Sequence, residues 1–288
     1  MKDLGKLFII ALALVFVSAS CEKEGIYNPN KKIQKIYASS SVTLNGVTTT
    51  DDKYLDEVWH WNGNILESVD KYNSDGSIRG TQTYLYDGKR LSEIIFGEHM
   101  DYRLYYDGKF LSHIDYLDDG ELVHRVEFTH DGKDIIEMKS INYGGNKTDD
   151  LSRIFQIVMP QMNRQIANNL ADHINLQIAE NKRGGLTEKL EWDNGNLIKM
   201  TTIGLYDDPI INTFAYDNKI NPYKGLFNFE NSGLYRIFSK NNMLSDHDSS
   251  TGNTLTYEYT YDGKYPVSVT TTSSKESFSY THNYYYEY

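Results

Sequence analysis

The chain reads as a mainly β protein: a large antiparallel meander closing into a barrel or strongly curved sheet, with one helical segment at about 150–181 packed on or in it. Three observations predict this. A short aromatic-rich block ending in Asp-Gly or Asn-Gly recurs along the chain. The residues before each block alternate apolar and polar with period two, the mark of a half-buried strand. The composition, with 24 Tyr, 11 Phe and 3 Trp but only 5 Pro, is that of a folding chain rather than a disordered one.

The first element is an address. Lys2 and Lys6 precede an apolar run from Leu7 to Val17, too short to span a bilayer as a helix. Ser18-Ala19-Ser20 then lead into Cys21, the single cysteine of the 288 residues. Residues 1–20 are read as a lipoprotein signal peptide and 21–31 as a tether, followed by a single β-rich domain over 32–288 with a helical insertion at 146–185. Cys21 stands where bacterial lipoprotein signals are cut and acylated, and it is the expected lipid attachment site. One cysteine excludes an intramolecular disulfide and a multi-cysteine metal centre.

The block itself is turn chemistry. It appears as Trp59-His60-Trp61-Asn62-Gly63-Asn64, Tyr84-Leu85-Tyr86-Asp87-Gly88-Lys89, Leu104-Tyr105-Tyr106-Asp107-Gly108-Lys109, Phe128-Thr129-His130-Asp131-Gly132-Lys133 and Tyr259-Thr260-Tyr261-Asp262-Gly263-Lys264. A variant, Trp192-Asp193-Asn194-Gly195, has one more residue before the Gly, and Tyr216-Asp217-Asn218-Lys219 puts Asn in its place. Asn-Gly and Asp-Gly supply the positive-φ pair of a type I′ turn, so each block is expected at a hairpin tip. Tyr102, Leu104 and Tyr106 form one face of a strand, and Asp101, Arg103 and Tyr105 the other. After each tip the aliphatics fall three and six residues past the Gly, as at Leu91 and Ile94 or Leu111 and Ile114. A step of three breaks alternation, and a repeated β-bulge restores it while adding curvature. Further turns at Asn45-Gly46, Ser74-Asp75-Gly76 and Asp118-Asp119-Gly120 bring the expected count to about 14 strands, a sheet large enough to curl or close.

Residues 146–185 hold no such block. Ile154, Val158, Met162, Ile166, Leu170, Ile174 and Ile178 recur every four residues, and between Leu151 and Ala179 only Arg153, Arg164 and Asp172 are charged. That pattern predicts a helix buried on several sides, kinked near Pro160.

The repeated Tyr-x-Tyr-Asp-Gly-Lys-x-Leu pattern resembles the YD repeats of large bacterial surface proteins. Together with the Cys21 signal, Tyr216-Asp217-Asn218-Lys219-Ile220-Asn221-Pro222-Tyr223 and the terminal Tyr284-Tyr285-Tyr286-Glu287-Tyr288, it is similar to Bacteroidetes surface lipoproteins carrying a YD-repeat-like domain of porin-like fold. The resemblance implies acylation of Cys21 and brings no established activity with it. Glu22-Lys23-Glu24-Gly25 looks like the acidic signal that sends such lipoproteins to the cell surface.

Chemistry-bearing motifs are sparse. A net charge of −11 argues against a nucleic-acid partner. The eight His are scattered without metal spacing, and Asp246-His247-Asp248, the densest cluster, reads as a solvated loop. The acid pairs Asp51-Asp52, Asp118-Asp119, Asp149-Asp150 and Asp207-Asp208 sit at turns, unlike facing glycosidase carboxylates. No catalytic residue, cofactor or metal site is assigned. Tyr105 and Tyr285 lie on the face opposite the main aromatic one and are the candidate ligand-facing aromatics. The expected function is a lipid-anchored outer-membrane lipoprotein, facing the cell surface and acting as a non-catalytic binding or scaffold module. Its partners are the membrane through its N-terminal lipid, and a glycan or another envelope protein. Two alternatives are a surface glycan-binding protein and an integral outer-membrane β-barrel.

Overall fold

In the computed structural model, residues 23–97, 100–143, 186–204, 208–227, 237–275 and 278–288 are described. The helix expected at 150–181 and the lipid site Cys21 lie outside them. The strands are β1 (Lys35–Leu44), β2 (Val47–Asn62), β3 (Ile65–Tyr72), β4 (Ile78–Asp87), β5 (Arg90–Phe96), β6 (Met100–Asp107), β7 (Phe110–Asp118) and β8 (Glu121–Asp131). They continue as β9 (Asp134–Asn142), β10 (Leu186–Asp193), β11 (Asn196–Ile203), β12 (Ile210–Tyr216), β13 (Met243–Asp248), β14 (Asn253–Asp262), β15 (Tyr265–Lys275) and β16 (Phe278–Glu287). Each pairs antiparallel with the next, and β16 pairs with β1 from Lys35↔Glu287 to Leu44↔Phe278, so the meander closes as a 16-stranded barrel. Closure removes every open edge. The expected 14 strands fall two short of the 16 observed.

The two rims differ. One carries the tips Gly63-Asn64, Gly88-Lys89, Gly108-Lys109, Gly132-Lys133, Asn194-Gly195 and Gly263-Lys264, and is called the tip rim below. At five of these tips the pairing corrects the expected turn type. Asp87 pairs with Arg90 and Asp107 with Phe110, so the Asp ends its strand and Gly is the first loop residue. Gly88 (φ 64) and Gly108 (φ 59) are left-handed, while Lys89 and Lys109 are not. That is the φ pattern of type II′, which requires Gly at its first central position. True type I′ pairs occur at Asn45-Gly46, Asp119-Gly120 and the variant block Asn194-Gly195, where both residues have positive φ. The Asn218 block is no tip at all: residues 217–242 form a long connection between β12 and β13. Asp246-His247-Asp248 likewise belongs to β13 rather than to a loop.

The spacing of three is a bulge, repeated around the barrel. Leu85 pairs with Glu93 but Tyr86 with Leu91, leaving Ser92 as the extra residue. The same shift follows Thr129, Glu191, Ala215 and Thr260, and recurs at His60 and Tyr105. Leu91 and Ile94 therefore both point inward, at 4% and 0% exposure. Inward residues build one core cluster that includes Trp59, Leu66, Val69, Tyr84, Leu111, Met138 and Phe214.

The aromatic immediately before the Asp or Asn, and likewise the C-terminal Tyr288, has a second task. Tyr86 donates its hydroxyl hydrogen bond to the Leu66 carbonyl (2.9 Å), Tyr106 to Leu91 O (2.7 Å), and Tyr288 to Pro266 O (2.9 Å). Trp192 Nε1 donates to Ile135 O (2.6 Å). Each acceptor is the residue at which the neighbouring strand enters its bulge. A bulge disrupts the ladder, and the ring of the next block satisfies the carbonyl it frees. Burial and the neighbouring Tyr hold the Tyr27 and Tyr288 hydroxyls far above the usual phenol range, so they remain donors at any ordinary pH.

The outer wall is polar. Glu93, Arg103, Asp115 and Arg125 occupy directly paired positions on β5, β6, β7 and β8, an alternating-charge row across four strands at mid-height. Arg103 bonds Glu93 at 2.9 Å, and Arg125 grips Asp115 with two bonds of 2.5 and 2.8 Å. On β14, β15 and β16 the outward residues are Thr260 with Ser268 (2.6 Å) and Thr270 with Asn283 (2.8 Å).

Candidate functional site: the plugged tip rim and the polar lumen

Two stretches fill the tip rim: the residues before β1 and the described parts of the long connection between β12 and β13. Residues 23–34 run across it before β1 begins, so the described part of the segment read as a tether packs on the barrel. Glu24 N donates to Lys109 O (3.1 Å) and Leu91 N to Gly25 O (2.8 Å), threading the strap between two tips. Glu24 Oε2 accepts from the Leu111 amide, Glu24 Oε1 lies 3.3 Å from His130 Nε2, and Arg90 Nε donates to Glu24 O at 2.8 Å. Gly25 (φ 79) is obligatory here, since an added Cβ would stand 2.1 Å from the Tyr106 hydroxyl. Farther along, Tyr27 and Ile33 are sealed in the core, and Trp61 Nε1 donates to Ile33 O (2.8 Å).

The connection between β12 and β13 plugs the same end. Tyr223 contacts Trp59 of β2 and Tyr286 of β16, while Phe238 contacts Phe128 of β8 on the far wall, so this segment crosses the lumen. Asp217 replaces the tip with an anchor. Its carboxylate accepts from Lys219 N (2.9 Å), Asn242 N (3.1 Å) and the Tyr261 hydroxyl. Between this plug and the wall lies a small crevice lined by Tyr216, Tyr223, Tyr259, Tyr286, Asn241 and Asn242.

Toward the other rim the lumenal face turns polar. Glu57 and Lys71 face each other across β2 and β3 at 3.5 Å, 0% and 3% exposed, and Trp59 Nε1 donates to Glu57 at 2.8 Å. Burial pushes the Glu188 carboxyl on β10 up to about 7 and the His124 imidazole on β8 down to about 4. His282 on β16 is also pushed down by burial, against a smaller upward pull from Asp51. Glu57 and Lys71 form an ion pair, while Glu188, His124 and His282 lie on three other strands, β10, β8 and β16. Among the described residues, no group of three or more His, Cys, Asp or Glu is placed to hold a metal ion.

The two candidate aromatics are separated. Tyr105, 41% exposed, stacks on His113 with ring centres 4.4 Å apart on the outer wall of β6 and β7. Tyr285 lies on β16, where Lys53 Nζ sits 4.1 Å from its ring and 4.9 Å from that of Tyr37. Five strands lie between them, so they form no common platform. The latch aromatics and the Glu24 strap escaped the sequence reading. A signal for the first exists: the residue before each block's Asp or Asn is Trp, Tyr or His and never Phe.

No protein-family model and no curated protein matches the chain. Among solved structures, a porin-like protein from Bacteroides uniformis is similar at 13% identity and a TM-score of 0.52, over 92% of this chain and all of that one. A porin-like protein from Bacteroides vulgatus aligns at 11% identity and a TM-score of 0.33, over 89% of this chain and 98% of that one. The first likeness places the barrel fold among porin-like ones and speaks to fold alone.

Proposed function

We propose that the chain is a cell-envelope lipoprotein, held at the outer membrane by acylated Cys21, whose barrel stands in water as a non-catalytic binding or scaffold module. One observation carries this reading: the outer wall carries charged side chains at mid-height, while the large apolar core cluster lies inside the barrel. An integral barrel reverses that order, with an apolar band towards lipid. Here the mid-height row Glu93–Arg103–Asp115–Arg125 would face hydrocarbon, and each Arg at the bilayer midplane would cost about 2–4 kcal/mol. The lumen is sealed at the tip rim by the strap and the plug, which does not suit a pore. The short apolar run ending at Cys21 and the porin-like fold neighbour support an envelope address. Scattered lumenal ionisable groups support a binding or scaffold role over catalysis.

The test is Cys21→Ala in the full chain. The variant should leave the membrane fraction and be recovered folded without detergent, with no lipid on the protein. Recovery only in detergent, or ion-conducting pores in planar bilayers, would establish the integral barrel instead.

A further inference from the structure

We infer that the tip rim is the face the barrel presents to the membrane, and that its apical lysines dock on anionic lipid headgroups, leaving the opposite rim outermost. This rests on the lipoprotein reading for the anchor and on the fold for everything else.

The strap fixes the geometry. Glu24 is held at the rim through its amide, its carbonyl and both carboxylate oxygens, between the β4–β5 and β6–β7 tips. Cys21 is three residues away, and three residues span at most about 11 Å. Acyl chains on Cys21 therefore enter the bilayer beside these tips and nowhere near the other rim. Strands of about ten residues, tilted as barrel strands are, set that other rim roughly 25 Å farther out.

Charge agrees with this orientation, although the whole chain is at −11. Lys89, Lys133 and Lys264 are exposed, Lys109 is half-buried, and each occupies the second loop position of its turn. Asp87, Asp107, Asp131 and Asp262 share these tips and Asp134 and Asp193 flank two of them, but each Asp is short and lies in or at the end of its strand. Lys31, which pairs with Asp262, and Lys219 add further positive charge to the rim. Lys224 and Lys240, both exposed, add to the same rim from the plug. The other rim is acidic among the described side chains: Asp75, Asp118, Asp119, Glu121, Asp208 and Asp248 stand against Arg79. An anionic surface attracts the first rim and repels the second. The range is about a Debye length, near 8 Å at physiological salt, which is where the strap holds the tips.

The experiment places a fluorophore at Lys89→Cys or at Val47→Cys, a site 71% exposed on the opposite rim. The full chain is recovered from expressing cells and added to vesicles containing headgroup-quencher lipids. The vesicles are phosphatidylcholine, with or without phosphatidylglycerol. The label at position 89 should be quenched, more strongly with phosphatidylglycerol, and the affinity behind that gain should fall roughly fivefold for each of Lys109→Gln and Lys133→Gln. The label at position 47 should stay bright. Equal quenching at the two sites, or indifference to phosphatidylglycerol, overturns the inference. The mass of the N-terminal peptide reads acylation of Cys21 separately. An unacylated chain that still brings position 89 to anionic vesicles removes the lipoprotein reading and keeps this one. An acylated chain quenched at position 47 does the reverse.

Discussion

Replacing Tyr86 by Phe removes one oxygen and leaves the ring in place. The hydroxyl donates to Leu66 O at 2.9 Å, and Leu66 is fully buried at the start of the β3 bulge. Without the donor, that carbonyl has lost its ladder partner to the bulge and its replacement to the mutation. A buried acceptor left unpaired costs about 1–3 kcal/mol, whereas exchanging exposed groups costs within about 0.5 kcal/mol. Tyr105→Phe is the matched control, since its hydroxyl stands on the outer wall of a neighbouring strand. In a domain of this size each kcal/mol moves the melting temperature by about 2–4 °C. Tyr86→Phe should therefore melt about 2–12 °C lower, and Tyr105→Phe within about 2 °C of the parent protein. Tyr106→Phe acts on a different carbonyl, Leu91 O, and the double variant should lose close to the sum of the two. The latch account is refuted if Tyr86→Phe is as neutral as Tyr105→Phe.

Other consequences can be measured on the same preparation. Gly25→Ala drives a Cβ into Tyr106 and should release the strap, so amide exchange at Leu91 and Leu111, whose acceptors are Gly25 O and the Glu24 carboxylate, should quicken together while amides of β14 do not. Lys71→Met strands the buried Glu57 carboxylate and should cost about 3–5 kcal/mol, with Glu57→Gln added in the same chain restoring much of it in a denaturant titration. The two perturbed lumenal groups oppose each other in pH. Glu188, raised from 4.5 to about 7, contributes stability that is present below pH 4.5 and lost as pH rises through 7. His124, lowered from 6.5 to about 4, contributes stability that is present above 6.5 and lost as pH falls through 4. In the melting temperature, Glu188 and His124 nearly cancel between pH 4.5 and 6.5, His282 adds a loss towards acid in the same sense as His124, and Glu188→Gln should steepen that loss by about 3 kcal/mol.

The architecture was legible because its signal is local and repeated. Gly at each tip, alternation before it and a step of three after it specify hairpin, strand and bulge without reference to distant residues. Closure was legible only as a tendency, since the β1–β16 pairing joins Lys35 to Glu287 across nearly the whole chain. The turn type was misread because Asp-Gly suits type I′ in general, while here the register places the Asp in the strand and leaves Gly first in the loop. The Asn218 block was misread because Asp217 caps a long connection with the same residues that elsewhere make a tip. Tyr105 and Tyr285 were correctly placed on the outward face, but alternation cannot tell how far apart two outward residues stand around a barrel. The strap was invisible for a related reason: Glu24 meets Leu111 and His130, partners that only the closed fold brings near.

The central claim is that the outer wall faces water while the protein sits at its membrane. Leu85, on β4 beside Glu93 of the charged row, and Glu258, near the middle of β14, are exposed residues well apart around the wall. With Leu85→Cys or Glu258→Cys in the full chain in native membranes, a membrane-impermeant maleimide should label both sites as fast as a free thiol. Lipid-chain quenchers should leave the attached fluorophores bright. Protection from the aqueous reagent together with quenching from the lipid chains would contradict the account and put this wall in the bilayer.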